Sequence, residues 1–314
     1  MNDFVARPGD MIPGPSALLA PAPSAGGGAI DVALAGFVFR FSGLDAPLVE
    51  TARTIFEGFE AGARRGDEQV VDVRVSISAR DTFLAFRTTA EPEPYRIFIA
   101  RDGGAFRFVS YHFAALYEPA ARLVRLLLAR GPGRNEIRLL ENFFRVLASY
   151  CLIEEGAVLV HAAALARHGK GYLFYGPSGA GKTTVSRNRG DADLLSDDQG
   201  LLTVDGEMVL LSATPFRGGE RIHRHPGAIA LPNVNRTVPL AGLYHLVQAK
   251  DVQVREMPRA RQIASLLTAV PIFHGAPYNN ARLLDIAAAI VARVPARELH
   301  FLPDGSYWDA IDAG

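Results

Sequence analysis

The sequence has a single cysteine, Cys151, among its 314 residues. One thiol excludes an internal disulfide and any zinc site built from four cysteines, so the sequence fits a reducing compartment. Long apolar runs are also missing, because no stretch reaches the roughly 18 residues that a membrane-spanning helix requires. The first residues, MNDFVARPGDMIPGPS, place acids and prolines where a signal peptide needs a basic and then an apolar run. We therefore expect a soluble cytoplasmic protein with no membrane partner.

An excess of charge of either sign is absent as well. Lysine plus arginine number 33, and aspartate plus glutamate also number 33, so the formal net charge is zero. Without a basic surplus, no electrostatic field draws the chain toward nucleic acid or an anionic membrane, and we expect neither as a partner. The composition, 49% hydrophobic and 21% charged, is that of an ordinary globular protein, and the length favours two domains.

The first half of the chain predicts a leader and a small α+β domain. Residues 1–29 are rich in proline and glycine, which oppose a packed core, so we expect a flexible leader. From residue 30, apolar and polar residues alternate with the period of half-buried strands in an antiparallel sheet. The predicted strands are VALAGFVFRF, VVDVRVSI, TFLAF, YRIFIA and AFRFVSY. Residues 30–150 would then form an N-terminal domain that recognises a substrate or partner.

Two helices accompany these strands. Apolar residues recur at helical spacing from Leu48 to Phe59, between the first two strands, and predict an amphipathic helix laid against the sheet. A second helix is predicted over residues 135–152 and is apolar on nearly all sides, so we expect it to be buried between the two halves. We place the domain boundary near residue 150, which leaves residues 151–314 for a second domain.

The second domain begins with a hairpin and a glycine-rich loop. The hairpin consists of AVLVHAAAL and GYLFYG, closed by a turn at RHGKG. The loop follows, then a short helix from about residue 182 and a strand in LLSDD. The later predicted elements are a hairpin around Asp205-Gly206, a strand AGLYHLVQ, helices near 258–269 and 279–293, a strand ELHFL, and a last turn ending at Trp308.

The glycine-rich loop fits the pattern G-x-x-x-x-G-K-[ST]. Its glycines permit positive φ angles that turn successive amides inward, where they bind phosphate oxygens. Lys182 would reach the β- and γ-phosphates, and the Thr183 hydroxyl would bind Mg²⁺. A glycine-rich turn with an incidental lysine is the alternative, but a strand before the loop and a helix after it favour nucleotide binding. The predicted nucleotide-binding residues are Gly176, Pro177, Ser178, Gly179, Ala180, Gly181, Lys182, Thr183 and Thr184.

Two adjacent acids, Asp197 and Asp198, close the run DLLSDD. A strand that emerges beside the glycine loop would deliver both carboxylates to the metal, where one holds Mg²⁺ and the other accepts a proton from an attacking hydroxyl. Adjacent residues of a strand point to opposite faces, so both can act only if the strand has ended by Asp198. A solvated acidic turn is the alternative interpretation.

A histidine, His161, precedes Gly176 by fifteen residues and lies at the end of an apolar strand. The predicted hairpin would bring its imidazole near the phosphates as an orienting or proton-handling group. A hydrogen-bonded core histidine is the alternative. Elsewhere, His168 is most simply a turn residue, and His223 with His225 has no convincing third metal ligand, so we predict no zinc site.

The histidine, the loop and the acidic pair together resemble the C-terminal kinase domain of bacterial HPr kinase/phosphorylase, whose loop is of the phosphoenolpyruvate-carboxykinase-like class. In that family a histidine precedes the first loop glycine by the interval that separates His161 from Gly176, and an Asp-Asp pair follows the loop helix. The resemblance covers residues 150–215. It implies an α/β fold in which a P-loop kinase domain at 151–314 is preceded by the smaller α+β domain.

The resemblance also implies an activity. The family uses ATP and Mg²⁺ to phosphorylate a serine hydroxyl on a protein, which would make Asp197 the general base, Asp198 a metal ligand and His161 a site residue. The two aspartate roles could be exchanged. The family's later glycine-rich signature around a catalytic arginine has a loose counterpart here in TPFRGGERIHRH. In that segment Arg217 could hold an anionic substrate or transition state, and a solvated basic loop is the alternative.

Two further features bear on the geometry of the acidic pair and on the expected substrate. The crossover VSRNRGDAD between the loop helix and the acidic strand is near the minimum length for a return to a parallel strand. The first half resembles the variable leading domain of HPr-kinase-related proteins found beside peptide-modification genes, which implies an acceptor other than HPr.

We therefore expect an ATP- and Mg²⁺-dependent kinase that acts on a serine hydroxyl of a protein or peptide. A small-molecule kinase, or a nucleotide-gated peptide-binding module with little catalysis, remains an alternative, and the resemblance also allows reverse phosphorolysis. Adenine is expected from the resemblance, because the guanine-reading pattern N-K-x-D is absent. The identity of the acceptor and the oligomeric state, a homo-oligomer included, stay open.

Overall fold

The computed structural model describes residues 26–62, 69–78, 83, 97–129, 136–216, 235–271 and 280–313. Within these ranges the architecture is mixed α/β, with two sheets and a small number of helices. The chain divides into two units, residues 1–147 and 148–314, where the sequence predicted a boundary near residue 150. None of the described helices is long and apolar enough to cross a membrane.

The described part of the first unit is built on one sheet. Its strands are β1 Gly28–Leu34, β2 Phe37–Leu44, β3 Gln69–Ser78, β4 Phe98–Asp102, β5 Ala105–Val109, β6 Phe113–Glu118 and β7 Leu123–Ala129, in the order β1-β2-β3-β7-β6-β5-β4. Helix α1 spans Ala46–Ile55, and helix α2, Glu136–Glu154, begins in this unit and continues past its last residue. Apart from the last four residues of the predicted leader, residues 1–29 lie outside the described ranges, and β1 already begins at Gly28.

The prediction of a purely antiparallel sheet is wrong for the first unit. Strand β3 runs parallel to both of its neighbours, β2 and β7. Helix α1 follows β2 and returns the chain across the sheet, so that β3 starts at the same end as β2. The alternation of apolar and polar residues identifies a strand but says nothing about its direction, which depends on what connects it to the next strand.

The strand boundaries also differ from the prediction. VALAGFVFRF is not one strand, because Ala35 and Gly36 form a turn with φ of 50° and 81° that joins β1 to β2. Two residues at positive φ are typical of the tight turn that suits a two-residue hairpin, but alanine gives no turn signal in the sequence. Strands β6 and β7, which a single helical turn at Pro119–Ala121 separates, were not predicted. The predicted strand TFLAF lies outside the described residues except for Phe83.

The residues at the start of helix α1 explain why the helix begins there. The carboxylate of Asp45 accepts a hydrogen bond from the amide of Leu48 at 3.1 Å, and a proline stands in the first turn. The buried face of α1 consists of Leu48, Ala52 and Ile55, as the sequence predicted. The helix ends before Phe56 and Phe59, which the prediction placed in it and which are buried beyond its end. Aromatic rings complete this core: Phe144 of α2 contacts Phe39, Phe41 and Phe56 edge to face, and Phe143 contacts Phe41 in the same way.

The second unit contains a second sheet with helices packed on it. Its described strands are β8 Ala157–Arg167, β9 Lys170–Tyr175, β10 Asp193–Ser196, β11 Gln199–Asp205, β12 Met208–Ser212, β13 Thr237–Gln248, β14 Gln253–Glu256 and β15 Ala296–Phe301. The described helices are α3 Lys182–Arg187, α4 Arg259–Thr268, α5 Asn280–Arg293 and α6 Tyr307–Asp312. The last turn predicted to end at Trp308 is thus the beginning of a helix.

The strand pairings of the second unit bring several strand ends to one edge. Strands β9, β13 and β15 are parallel, and their carboxyl ends meet where the glycine-rich loop leaves β9. Strand β8 is antiparallel to β9 on one side and to β10 and β11 on the other. Through β12, which pairs with β11 and β13, the pairings close into a circuit of five strands.

The strand that leads to the acidic pair, β10, has a different neighbour from the one predicted. The strand that carries the acidic pair was expected beside the glycine loop, but β8 lies between β10 and the loop strand β9. The reason is that both edges of β9 are already hydrogen-bonded, one to β8 and the other to β13. The returning chain therefore pairs with the far edge of β8. It still runs in the same direction as β9, so β9 and β10 end at the same edge of the sheet.

The last helix, α6, fixes the position of the short helix α3. The Tyr307 hydroxyl shares its single proton between the carbonyls of Val185 and Asn188, each at 3.2 Å, and the Trp308 indole N–H donates to the carbonyl of Arg189 at 3.0 Å. These donors satisfy carbonyls at the end of α3 that have no partner within the helix. Trp308 also packs edge-on against Phe174 of β9, so α3 is held against the strand that precedes it in the chain.

Candidate functional site

The glycine-rich loop connects β9 to α3, which is the strand–loop–helix context that the pattern requires. Gly179 and Gly181 adopt φ of 79° and 113°, which an L side chain rarely allows. Pro177, Ser178 and Gly179 are exposed at the tip of the loop. The loop therefore presents backbone to solvent in the left-handed conformations that form an anion-binding concavity.

Both ends of this loop are tied to buried structure. The residue before it, Tyr175, is fully buried, and its hydroxyl lies 2.9 Å from the hydroxyl of Ser265 in α4. Burial raises the pKa of the Tyr175 phenol to about 12, and the hydrogen bond to Ser265 opposes this effect. Tyr175 is thus held as a neutral core residue that fixes where the loop starts.

Lys182 is the first residue of α3 and is almost completely buried beneath the loop. Its Nζ donates to the carbonyls of Gly176 at 2.9 Å and Pro177 at 3.1 Å. Burial lowers the pKa of the Lys182 ammonium, and the nearby charge of Asp198 partly opposes that shift. A phosphate anion next to Nζ would favour the charged form in the same way, so the ammonium is suited to bind phosphate oxygens.

Gln248 is a loop contact that the sequence analysis missed. It is the last residue of β13, and its Nε2 donates to the carbonyl of Gly179 at 2.7 Å. This bond holds the carbonyl of the loop tip on the side of β13. A polar residue at the carboxyl end of a strand parallel to β9 was the available signal, but the sequence alone does not say that β13 is the neighbour of β9.

The register of the sheet brings the histidine and the acidic pair to the loop. Ala162 of β8 pairs with Tyr175, the last residue before the loop. On the other side of β8, Ala164 pairs with Ser196 and His161 pairs with Gln199, so the two residues between Ser196 and Gln199 lie beside the same stretch of β8. Three segments that are distant in sequence therefore meet at one edge of the sheet.

The acidic pair occupies a break in a strand. Strand β10 ends at Ser196 and β11 begins at Gln199, and both pair with β8. Asp197 and Asp198 form the bend between them, and both are half-buried. Both acids can act together only if the strand has ended by Asp198, and the break meets that condition, although β11 then continues along the same neighbour, β8.

His161 contacts Asp198 directly. Its Nδ1 lies 2.9 Å from the backbone oxygen of Asp198 and 3.3 Å from the carboxylate Oδ1 of the same residue. Because a carbonyl oxygen can only accept, Nδ1 carries the proton, and the lone pair of the neutral ring is then on Nε2. The backbone amide of His161 donates to the carbonyl of Ala269 at 2.7 Å, just beyond α4. His161 is therefore held by its backbone and by one ring nitrogen, with 42% of its side chain exposed.

The charge of Asp198 also acts on Lys182. Asp198 contacts His161, and its negative charge favours the charged form of Lys182, against the larger effect of burial, which lowers the pKa of that ammonium. Its backbone oxygen also accepts from the amide of Ala162 at 3.0 Å. Three of the residues predicted from sequence, His161, Lys182 and Asp198, are thus brought together, with Asp197 next to them in the chain.

The residues predicted to bind metal fit Mg²⁺ by their chemistry. Thr183 is exposed in the first turn of α3, and Asp198 lies at the same edge of the sheet. Hydroxyl and carboxylate oxygens suit Mg²⁺, which keeps several waters and takes other ligands from substrate phosphates. Among the described residues, no group of three or more histidine, cysteine, aspartate or glutamate side chains could hold a metal ion. A magnesium site here would therefore depend on the nucleotide for its remaining ligands.

Several other predicted residues have simpler positions. Arg217 and the histidines 223 and 225 lie outside the described residues. His168 adopts φ of 51° in the turn between β8 and β9, and its Nε2 lies 3.3 Å from Asp191. It is therefore the turn residue that the sequence suggested.

We expect Gly181→Ala to destabilise the second unit and to weaken nucleotide binding. An added Cβ would lie 2.4 Å from Cζ of Phe301, and the residue would keep a φ of 113°. Backbone strain and overpacking together predict a loss of about 2–5 kcal/mol. The loss would be measured by urea unfolding, followed through the fluorescence of Trp308, which is the single tryptophan and is buried in this unit.

Gly179→Ala is the matched control for Gly181→Ala. It has a similar φ of 79° but no atom within 4 Å of an added Cβ, so it should cost only about 1–2 kcal/mol. A second control combines Gly181→Ala with Phe301→Leu, which should cost less than the sum of the two single changes because the clash is relieved. Additive effects in this cycle would contradict the close packing of the loop against Phe301.

Comparison with known protein families gives a match that begins in helix α2 and extends through the second unit. Residues 136–313 match the family described as SynChlorMet cassette protein ScmC, a match that covers more than half of the 314-residue chain. The loop, the histidine and the acidic pair all lie within the matched residues. No curated protein matches the chain at a significant level.

Proposed function

We propose that this chain, which belongs to the ScmC family of SynChlorMet cassette proteins, is an ATP- and Mg²⁺-dependent kinase whose second unit is a P-loop kinase domain of the HPr kinase type. One observation carries the proposal: His161 bonds to Asp198, and Asp198 acts electrostatically on Lys182 of the glycine-rich loop. A phosphate-binding loop alone would support any nucleotide-binding protein. An imidazole and two carboxylates next to it support chemistry at the terminal phosphate.

The loop residues bind the nucleotide in this proposal. The amides of residues 176–184 and the ammonium of Lys182 hold the phosphates, for which the φ values at Gly179 and Gly181 and the position of Nζ beneath the loop are the support. The Thr183 hydroxyl and the Asp198 carboxylate hold Mg²⁺, which neutralises phosphate charge when it is bound. Adenine as the base follows from the resemblance to the HPr kinases.

The transfer step uses the second carboxylate. The oxygen of an acceptor hydroxyl forms a bond to the γ-phosphorus, and the bond from that phosphorus to the bridging oxygen breaks, so that its electron pair leaves with ADP. Asp197 accepts the proton of the hydroxyl. We assign the proton to Asp197 because the resemblance to the HPr kinases implies that role for the first acid of the pair, while Asp198 is the acid that contacts His161. His161 orients Asp198 through its Nδ1–H. Its other ring nitrogen, Nε2, can accept a proton or a hydrogen bond from a hydroxyl group on the phosphate.

The acceptor in this proposal is a serine hydroxyl on a protein or peptide of the cytoplasm, other than HPr. The resemblance of the first half to leading domains of HPr-kinase-related proteins supports that choice. The first unit, whose described sheet mixes parallel and antiparallel strands, would recognise the acceptor.

The test is acceptor-dependent release of ADP. The purified full chain is incubated with ATP and Mg²⁺ and with either serine-containing peptides or small alcohols, and products are identified by mass spectrometry. We expect ADP release to rise with a serine peptide and the phosphate to be found on that serine. The same peptide with alanine in place of serine is the control.

Each other outcome of this assay has a defined meaning. ADP release with small alcohols but not with peptides would replace the proposal with a small-molecule kinase. Nucleotide binding without any phosphorylated product, including from co-expressed partners, would replace it with a nucleotide-gated binding module. No binding of ATP at all would overturn the proposal entirely.

A further inference from the structure

A buried hydroxyl lies directly before the acidic pair. Ser196 is the last residue of β10 and is fully buried. Four atoms surround its Oγ: the amide nitrogens of Asp198 at 3.4 Å and Gln199 at 3.2 Å, the carbonyl oxygen of Phe216 at 3.2 Å, and Oγ1 of Thr214 at 3.2 Å. The hydroxyl therefore stands at the break between β10 and β11, where the two acids leave the strand.

The directions of these hydrogen bonds follow from the chemistry of the partners. Thr214 is also buried, and its Oγ1 lies 2.6 Å from the carbonyl of Gln199, its shortest contact, so its single proton goes there. The proton of Ser196 goes to the carbonyl of Phe216, because a carbonyl can only accept. The amides of Asp198 and Gln199 then donate to the lone pairs of the Ser196 oxygen.

This arrangement fixes the backbone on both sides of the Asp198 side chain. The amide of Asp198 is held by Ser196, and its carbonyl is held by Ala162 and by the ring of His161. With both backbone groups fixed, the direction of the Asp198 carboxylate is restricted to its side-chain rotamers. The same oxygen of Ser196 also bonds to Phe216, the residue that precedes Arg217 in the chain.

We propose that Ser196 is a positioning residue for the acidic pair, an inference that rests on the proposed kinase function. It touches neither nucleotide nor acceptor, and acts by holding the amide of Asp198 so that the carboxylates face the metal and the hydroxyl proton. Serine is suited to this place because alanine lacks the oxygen and threonine adds a methyl group to a site that is already fully buried. Lys182 and the loop are fixed by other contacts, so nucleotide binding without metal should not depend on Ser196.

The test compares Ser196→Ala with Ser212→Ala. Ser212 is a matched control because it is also a buried serine of the same sheet, and its Oγ bonds at 2.8 Å to Thr237. For Ser196→Ala we expect kcat to fall by about 10- to 100-fold, the effect of a small displacement of catalytic groups, with the KM for ATP nearly unchanged. Ser212→Ala should leave both constants close to those of the natural chain.

A second readout is independent of catalysis. The affinity for a nonhydrolysable ATP analogue is measured by calorimetry with and without Mg²⁺. In Ser196→Ala the gain in affinity caused by Mg²⁺ should shrink by about tenfold, since Asp198 no longer faces the metal, while the affinity without Mg²⁺ stays the same. A residue that only supports the fold would lower both affinities together.

The outcomes separate this inference from the function on which it rests. If the natural chain transfers phosphate and Ser196→Ala behaves like Ser212→Ala, the positioning role is overturned and the kinase proposal stands. If the natural chain neither binds the analogue nor transfers phosphate, the kinase proposal fails and the positioning role fails with it. Should Ser196→Ala not fold, as judged by Trp308 fluorescence, Thr214→Val is the replacement, because Oγ1 of Thr214 lies 3.2 Å from Oγ of Ser196 and fixes the carbonyl of Gln199 at the same break. It should lower kcat roughly two- to tenfold with the same loss of the Mg²⁺ effect, and an unchanged kcat would overturn the inference.

Discussion

Lys182→Ala is expected to abolish nucleotide-dependent phosphoryl transfer, with kcat/KM falling by about 10³-fold or more. The ammonium is the positive side chain that lies beneath the glycine-rich loop, and its Nζ reaches the carbonyls of Gly176 and Pro177 from the interior. Alanine has neither the positive charge nor a side chain long enough to contact the phosphates, so the loop amides alone would hold them. In the transition state, where charge on the transferred group must be stabilised, their contribution would not be sufficient.

The loss can be measured without an acceptor. A ligand present at 100 times its Kd stabilises a folded protein by about 2.7 kcal/mol, and this stabilisation should vanish in Lys182→Ala. Urea unfolding followed by Trp308 fluorescence, with and without ATP and Mg²⁺, would report it for the second unit. Without nucleotide, the variant should be close to the natural chain in stability, because burial already disfavours the charged form of Lys182.

Lys170→Ala is the matched control. Lys170 is the first residue of β9, the same strand that leads into the loop, but its side chain is exposed at the opposite end of that strand. It should keep full activity and full stabilisation by ATP. If Lys182→Ala retained ATP stabilisation equal to that of Lys170→Ala, the loop would not be a phosphate site and the kinase proposal would lose its basis.

The elements of the site were predictable from sequence because each has a local cause. The glycine pattern specifies φ values that other residues rarely adopt, and two of its glycines do adopt them. The hairpin of β8 and β9 is closed by His168 and Gly169, which a turn signal in RHGKG indicated. Helix α4 also lies close to its predicted bounds, since its periodicity and the preceding proline are features of its own segment.

The arrangement of the site was not predictable in the same way. Sequence periodicity does not contain the order of strands, and the position of β8 between β9 and β10 depends on the pairing of β9 with β8 and β13, which are distant parts of the chain. The contact of His161 with Asp198 follows from that position, because His161 is on the strand that separates the loop from the acids. At the break between β10 and β11, the amides of Asp198 and Gln199 donate to a hydroxyl, that of Ser196, which looks like an ordinary strand residue in the sequence.

The first unit shows the same limit more strongly. Its strand periodicity was identified for β3 and β5, but the parallel direction of β3 relative to β2 and β7 was not. Strand β6 was missed because its residues are apolar and buried on both faces, and β7 because its residues are nearly all apolar, although their burial alternates. A strand that is buried on both faces resembles any other apolar run until its neighbours are known.

Asp197→Asn and Asp198→Asn are expected to separate chemistry from metal binding. Asparagine keeps the size of the side chain and an acceptor oxygen, so Asn at position 198 could still accept from Nδ1 of His161. What it removes is the negative charge and the basicity. Asp197→Asn should therefore lower kcat by about 10²- to 10⁴-fold, the usual effect of losing a general base, while the affinity for an ATP analogue with Mg²⁺ stays within a factor of about two.

Asp198→Asn should instead affect mainly the binding of Mg²⁺. Loss of a carboxylate ligand weakens the hold on Mg²⁺, so the concentration of Mg²⁺ needed for half-maximal activity should rise by about 10- to 100-fold. The variant should also lower the pKa of Lys182 further, because the charge of Asp198 opposes the effect of burial on the pKa of that ammonium. Affinity for the analogue without Mg²⁺ should change little, since no carboxylate then contributes a metal contact.

The comparison decides between the two possible assignments of the aspartates. If the roles are exchanged, Asp197→Asn rather than Asp198→Asn will raise the Mg²⁺ requirement, and the large fall in kcat at saturating Mg²⁺ will belong to Asp198→Asn. Asp205→Asn serves as the control, because Asp205 is an exposed aspartate at the far end of β11 and should change neither quantity. Equal effects of both substitutions on nucleotide affinity and on Mg²⁺ dependence would contradict any division of labour. The break between β10 and β11 would then be a solvated turn near a nucleotide site, and transfer of phosphate would need a base from another part of the protein.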